Sequence, residues 1–201
     1  MTDFIIKVCG ITTQEDAEAS LEAGANALGF NFYARSPRYI APEAAAKMGG
    51  TGAYLRVGVF VNATEAEIRS TARIANLDVV QIHGATAAVS GLTNWQAIQV
   101  TTQPQHDNGI AAYLIDTVSP NFGGSGKTFD WSLAKSFPFR AIIAGGLDGA
   151  NVAEAIRMAE PWGVDACSRL ESQPGRKNLK SVAAFISAAL LAFHSKQAVE
   201  I

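Results

Sequence analysis

The residue best suited to chemistry is Cys9, which directly follows an apolar segment and directly precedes a glycine. Residues 4–8 are apolar and β-branched enough to form a buried strand, and Gly10 ends that strand just after the thiol. An isolated cysteine at a strand end is more often an inert small hydrophobe than a reactive group. Lys7, however, shares a strand face with Cys9, and its charge would favour the thiolate. We therefore expect Cys9 to transfer protons.

Further polar side chains follow or end the other predicted strands. They are Gln81, His83, Asp116, Asp165 and Cys167. Side chains alternate along a strand, so the pairs Gln81 with His83 and Asp165 with Cys167 each share one face. Asp116 either converges on Cys9 from another strand or caps the following turn. His83 is equally compatible with a substrate contact and with a structural role.

Two features predict binding of anions. Arg38 lies on a rigid Ser-Pro-Arg-Tyr turn and offers a guanidinium group to a carboxylate. Gly145 and Gly146 precede a predicted helix start, where free amides and the helix dipole favour an anion, and Ser168 would join them. The alternative is a pair of ordinary tight turns. A nucleotide phosphate loop at Lys127 is excluded, since the glycine it requires is replaced by asparagine.

The elements that must position these residues alternate between strands and helices. Strands are predicted at residues 4–8, 26–30, 56–61, 78–82, 95–100, 112–115, 139–143 and 164–167. Eight strand-then-helix units predict a single α/β domain over residues 1–201, a (β/α)8 TIM barrel, whose active site lies at the carboxyl ends of the strands. A doubly wound open sheet remains the alternative, although its glycine-rich fingerprint is missing from the first turn.

Helix starts follow from capping residues. They are predicted at Thr13, at Pro42, at Asn62 or Thr64, and at Asp148 or Asn151. The helix after the fourth strand is expected to be weak, because residues 85–91 allow barely two turns. A long polar loop over residues 117–129 suggests function or mobility.

Composition narrows the class of partner. The chain has 201 residues, 48% of them hydrophobic, and a net charge of −2 without a basic stripe, so a nucleic-acid partner is not expected. No apolar run approaches the roughly 20 residues of a membrane span, and no secretory signal is visible, which predicts a cytoplasmic protein. Two cysteines are too few for a disulfide framework or a zinc site. A small-molecule ligand is the expected partner.

Seven motifs, in order along almost the whole chain, resemble those of the phosphoribosylanthranilate isomerase family. They lie at residues 7–12, 28–32, 36–40, 57–62, 80–84, 123–131 and 144–147. The resemblance implies an Amadori rearrangement of N-(5'-phosphoribosyl)anthranilate in tryptophan biosynthesis, with no metal or organic cofactor. The expected assembly is a monomer or a homodimer.

The resemblance also assigns roles. It implies Cys9 as general base, Asp116 as general acid and Arg38 as the contact of the anthranilate carboxylate. The predicted substrate-binding set is Lys7, Arg38, Gln81, His83 and Asp165, and the predicted phosphate-binding set is Gly145, Gly146, Ser168 and Arg169. Arg169 replaces a glycine that is common in the family, so it either strengthens phosphate binding or points outward.

Two other functions are compatible with a barrel of this kind. A histidine-pathway isomerase performs the same rearrangement with two aspartates, which the thiol of Cys9 argues against. A non-catalytic phosphosugar-binding module would make Cys9 and Asp116 incidental. One further hypothesis concerns Cys167: the first and last strands of a closed barrel are neighbours, so Cys9 and Cys167 are expected to lie close enough for a disulfide if their register agrees.

Overall fold

The computed structural model describes residues 4–99, 109–116 and 129–199. Eight parallel strands form a closed barrel in the order of the chain, and the last strand pairs with the first. The strands are β1 (Ile5–Cys9), β2 (Ala27–Asn31), β3 (Leu55–Val61), β4 (Val79–His83), β5 (Thr93–Gln99), β6 (Ile110–Asp116), β7 (Ala141–Ile143) and β8 (Gly163–Ala166). The predicted (β/α)8 barrel is confirmed, and the open sheet is excluded by the β1–β8 pairing.

The helices of the described residues cover the outside of the barrel. They are α1 (Gln14–Glu22), α2 (Pro42–Ala45), α3 (Glu65–Ile74), α4 (Val152–Ala159) and α5 (Leu179–Val199). Thr13 caps α1 as predicted. Of the two predicted caps for α3, Thr64 forms a full capping box with Glu67, whereas Asn62 adopts a left-handed φ of 50° before the helix. Asn151 is the residue that precedes α4.

The unit after β4 departs from the expected pattern. No helix forms over residues 84–92, where a weak one was predicted. Instead the Asn94 side chain accepts from the Val89 amide and donates to the carbonyls of Val89 and Leu92. The buried Asn94 side chain thus supplies hydrogen-bond partners to backbone groups of Val89 and Leu92 in a segment without a helix. Before β7 the described residues form only a 3₁₀ turn, Trp131–Ala134. Most of the predicted loop 117–129 lies outside the described residues.

Period-two alternation divides the strands between two hydrophobic layers. The barrel interior holds Ile5, Ala27, Val57, Val79, Trp95, Ala112, Leu114, Ile142 and Ala144. Val8, Leu28, Ile143 and Val164 belong instead to the layer that packs against the helices. Three polar residues lie two positions after an inward residue of the same strand: Lys7, Gln81 and Asp116. Their side chains therefore line the barrel interior at its carboxyl end.

A short hairpin after β8 was not predicted. Strands β9 (Glu171–Gln173) and β10 (Arg176–Lys177) pair antiparallel, joined by Pro174 and Gly175. Gly175 has a φ of 81°, the left-handed value that the third residue of a type II turn requires. The Thr12 hydroxyl donates to the Gly175 carbonyl, which ties the hairpin to the loop after β1. No helix in the described part of the chain has the length and apolarity needed to cross a membrane.

Candidate active site

A buried ion pair joins the first and last strands. The Lys7 side chain is fully buried, and its Nζ lies 2.8 Å from Asp165 Oδ1. The two residues are direct register partners across β1 and β8. Burial alone would lower the pKa of Lys7, but the charges of Asp165 and Cys9 outweigh burial and raise it. Lys7 is therefore a permanent cation inside the barrel mouth.

Cys9 lies beside this cation at the end of β1. A Cβ atom added to Gly29 on the neighbouring strand β2 would lie 2.7 Å from Cys9 Sγ and 3.0 Å from Lys7 Nζ. Gly29 thus leaves the space in which the thiol and the ammonium group meet. Any larger residue at this position would displace one of them.

The acidity of Cys9 is set by its neighbours. Its pKa is lowered to about 7, first by a hydrogen bond from the Cys167 thiol and, against burial, by the charge of Lys7. The pKa of Cys167 is raised in turn by the same hydrogen bond and by burial. Cys9 is therefore about half ionised at pH 7. Cys167 Sγ also lies 3.9 Å from Glu171 Oε1. Both cysteines are free thiols.

Gln81 and His83 extend the site along β4. Gln81 Nε2 donates to His83 Nε2 over 2.8 Å, which fixes that ring nitrogen as the unprotonated one. Burial, with a smaller contribution from Lys7, lowers the pKa of His83 to about 4. His83 is thus a neutral ring at physiological pH. Gln81 Oε1 is buried and accepts no hydrogen bond within the described residues, which leaves an acceptor inside the barrel mouth.

Asp116 ends β6, three strands from β1 around the ring. It continues the inward alternation of Ala112 and Leu114 and is partly exposed. Its carboxylate is therefore at the carboxyl-end opening of the barrel, on the side across from Lys7 and Cys9.

Arg38 approaches the thiols from the loop after β2. A Cβ atom added to Gly10 would lie 2.8 Å from Arg38 Cδ and 3.0 Å from Cys167 Sγ, so the stem of Arg38 crosses directly over Gly10. Its guanidinium group binds Glu171 in a bidentate pair, with Nε to Oε1 at 2.8 Å and Nη2 to Oε2 at 2.7 Å. The hydrogen bonds to Glu171 raise the pKa of Arg38 still further.

The predicted phosphate region lies between β7 and α4. Gly145 and Gly146 have left-handed φ values of 85° and 64°, which only glycine adopts at little cost. No described residue accepts a hydrogen bond from their backbone amides. Arg169 pairs with Asp148 at 2.9 Å and donates to the Gly146 carbonyl at 3.2 Å. Arg169 thus braces this loop from a side chain that is 43% exposed. Ser168 begins the 3₁₀ turn beside it.

Sequence reasoning missed Glu171 and Lys177, the acid and the cation of the β9–β10 hairpin. Lys177 Nζ is fully buried and lies 3.1 Å from Glu171 Oε1. The one available signal was the Pro-Gly dipeptide at positions 174 and 175, which is typical of a tight turn and would have predicted the hairpin. Nothing local marks Arg38 as the partner of Glu171, since they are 133 positions apart.

Chemical groups that suit proton transfer meet at the carboxyl ends of parallel strands, where barrel enzymes carry out their reactions. The fold and the site therefore define a (β/α)8-barrel enzyme. The sequence model of N-(5'-phosphoribosyl)anthranilate (PRA) isomerase matches residues 6–188. The chain belongs to this family of isomerases.

Relatives and solved structures agree with this assignment. The N-(5'-phosphoribosyl)anthranilate isomerase of Solibacter usitatus is 50% identical over 194 residues, which cover 92% of this chain and 97% of the relative. The crystal structure of phosphoribosyl anthranilate isomerase from Thermotoga maritima superposes with a TM-score of 0.82 at 36% identity, covering 93% and 98% of the two chains. A further structure of the enzyme superposes with a TM-score of 0.77 at 31% identity, over 93% and 98% of the chains. That protein is in complex with reduced 1-(o-carboxyphenylamino)-1-deoxyribulose 5-phosphate.

Proposed function

We propose that the protein converts N-(5'-phosphoribosyl)anthranilate to 1-(o-carboxyphenylamino)-1-deoxyribulose 5-phosphate, with Cys9 as general base and Asp116 as general acid. The observation that carries the assignment is the placement of Cys9, a buried thiol that shares the space left by Gly29 with the Lys7 ammonium group. In this position the pKa of Cys9 is lowered to about 7. A base with a pKa near the working pH combines adequate basicity with a large deprotonated fraction. An inert core cysteine would have its pKa raised by burial instead.

The rearrangement needs one acid and one base. Asp116 would protonate the ribose ring oxygen as the C1'–O bond breaks, which leaves an open-chain iminium ion. The Cys9 thiolate would then remove the C2' proton to give an enolamine, which tautomerises to the ketone. C1' is reduced and C2' is oxidised within the same molecule, so the reaction balances without an external oxidant. The location of the two residues on different sides of the barrel opening suits groups that act on different substrate atoms.

The remaining polar groups suit the two charged ends of this substrate. Arg38, with its stem over Gly10 and next to Cys167, would hold the anthranilate carboxylate on the side of the base. Gly145, Gly146 and Ser168 would hold the phosphate at the start of α4, with Arg169 bracing the loop. Gln81 Oε1, buried without a partner among the described residues, would accept from a substrate hydroxyl. Lys7 and Asp165 keep the thiolate next to a fixed cation.

The turnover numbers of variants at the two proposed catalytic residues test the function. We expect Cys9→Ser and Asp116→Asn each to lower kcat by roughly 10²- to 10⁴-fold, the usual cost of losing one acid or base, with little change in the melting temperature. Loss of the substrate's fluorescence provides the assay. Glu65→Gln is the matched control, because it removes an exposed carboxylate whose one ion pair among the described residues is with Arg69 on α3. A wild-type protein that binds substrate without turning it over would instead support the phosphosugar-binding module.

A further inference from the structure

The β9–β10 hairpin delivers one carboxylate to the guanidinium group of Arg38. Glu171 is the first residue of β9, and its side chain is 4% exposed while that of Arg38 is 16% exposed. Both carboxylate oxygens bind the guanidinium, one at Nε and one at Nη2. Such a fork-to-fork pair fixes the plane of the guanidinium as well as its position. Without this pair, Arg38 could rotate about its own stem.

The carboxylate of Glu171 is itself held from other directions. Its Oε1 also accepts from Lys177 Nζ at 3.1 Å and from the Gly175 amide at 3.3 Å. Lys177 donates in addition to the Cys167 carbonyl at 3.3 Å, and its own backbone amide donates to Asp16 on α1. Burial works to raise the pKa of Glu171, but the bonds from Arg38 and Lys177 outweigh burial and lower it. Glu171 is therefore a rigid, ionised anchor.

The pairing leaves one edge of Arg38 open. A guanidinium group has five N–H donors, and Glu171 uses one on Nε and one on Nη2. Nη1 donates to no described residue. The Nη1–Nη2 edge can thus receive a second carboxylate in the same plane. The stem of Arg38 passes next to Cys167, and the guanidinium charge interacts with both Cys167 and Cys9.

We propose that Glu171, braced by Lys177, is a positioning residue that aims the free edge of Arg38 at the carboxylate of the substrate and so gives the site its preference for carboxylated aromatic amines. This inference rests on the proposed function, because it assumes an anthranilate ring beside Arg38. Glu171 itself touches no substrate in this arrangement. Its removal should therefore change the preference between carboxylated and uncarboxylated ligands through Arg38, whereas its second contact, with Cys167 Sγ at 3.9 Å, should affect binding of both ligands alike.

Two ligands that differ in one group test the proposal. The first is reduced 1-(o-carboxyphenylamino)-1-deoxyribulose 5-phosphate, and the second is the same compound without the carboxyl group. Calorimetry gives the ratio of their dissociation constants for each variant. We expect wild type to prefer the carboxylated ligand and Glu171→Gln to reduce that preference by about tenfold or more, the usual scale for a hydrogen bond to a charged group. Binding of the second ligand should change less than about twofold, well below that scale.

The coupling between Glu171 and Arg38 separates positioning from a general structural role. Once Arg38→Met has removed the guanidinium, adding Glu171→Gln should cause no further loss of preference. Additive losses, or equal loss of affinity for both ligands, would overturn the proposal. Glu171→Asp, which keeps the charge but shortens the reach, replaces Glu171→Gln if that variant does not fold. Glu65→Gln again serves as the control. A wild-type protein with no preference for the carboxylated ligand would refute the proposed function itself.

Discussion

The acidity of the proposed base depends on three neighbouring side chains. Cys167 donates a hydrogen bond to Cys9, Lys7 supplies a positive charge, and Asp165 holds Lys7 in place while working against the thiolate. The hydrogen bond is the largest of these contributions. Acting in the same direction as the Lys7 charge, it outweighs burial, which raises the pKa of Cys9. A thiol donor beside a thiolate is therefore the feature that brings Cys9 into the range of neutral pH.

Replacement of Cys167 should shift the pH profile of the reaction. Cys167→Ala removes a donor to the Cys9 thiolate, so the pKa of Cys9 should rise from about 7 toward the free-thiol value of about 8.5. If the Cys9 thiolate acts as the base, as proposed, the acid limb of kcat/KM against pH should move to higher pH, and activity at pH 7 should fall. Cys167→Ser keeps a hydroxyl donor and should leave the limb near its wild-type position. An unchanged limb in Cys167→Ala would contradict the assigned cause.

At the scale of elements, the β1–β8 pairing brings the two cysteines together. Val8 and Ala166 are register partners across β1 and β8. The residues that follow them, Cys9 and Cys167, therefore lie at the same level at the carboxyl end of the barrel. The proximity follows from closure of the barrel, because an open sheet would place the first and last strands at opposite edges. This register, with Cys167 Sγ 3.0 Å from a Cβ position on Gly10, agrees with the expectation that the two thiols lie near each other.

Oxidation should join these thiols reversibly. With a diazene such as diamide, the Cys9 thiolate first adds to the N=N bond. The Cys167 sulfur then attacks Cys9 Sγ and breaks its bond to nitrogen, which gives the disulfide and a hydrazine. We expect wild-type activity to be lost on this treatment and restored by dithiothreitol. Cys167→Ser, which lacks the second sulfur, should stay active. Intact mass identifies the disulfide, and equal sensitivity of the two proteins would show that Cys167 is not the partner.

At the scale of the whole molecule, the barrel encloses groups whose protonation is coupled to folding. His83 is held neutral at the mouth of the barrel, with its pKa lowered from 6.5 to about 4 by burial and by Lys7. In the unfolded chain the ring binds a proton near pH 6.5. Between these two values the unfolded state carries more protons than the native state, so acid favours unfolding there.

The free energy of unfolding should therefore fall as pH falls from about 6.5 to about 4. The contribution of His83 should be no more than about 3 kcal/mol, at 1.36 kcal/mol for each factor of ten in proton affinity. Urea unfolding of wild type and His83→Asn across this range measures it, and the variant should show a flatter dependence. Parallel curves for the two proteins would contradict the assigned burial of the ring.

Local sequence rules determined which side chains face the barrel interior and where most helices begin. Strand alternation depends only on neighbouring residues, so Lys7 with Cys9 and Gln81 with His83 were placed correctly. Thr13 and Thr64 were recognisable as caps for the same reason. The segment after β4 was expected to form only a weak helix, but the hydrogen bonds of the Asn94 side chain that stand in its place could not be foreseen.

Only the tertiary structure decided the partners of these side chains. Lys7 meets Asp165 at a separation of 158 positions and Arg38 meets Glu171 at 133, distances over which no periodicity carries information. The thiol of Cys167 could be placed near Cys9 by strand order, but its part as hydrogen-bond donor depends on side-chain direction in the closed barrel. The residues of the site could thus be identified from local sequence. Their protonation states and orientations are set only where distant segments pack together, because both depend on the surrounding atoms.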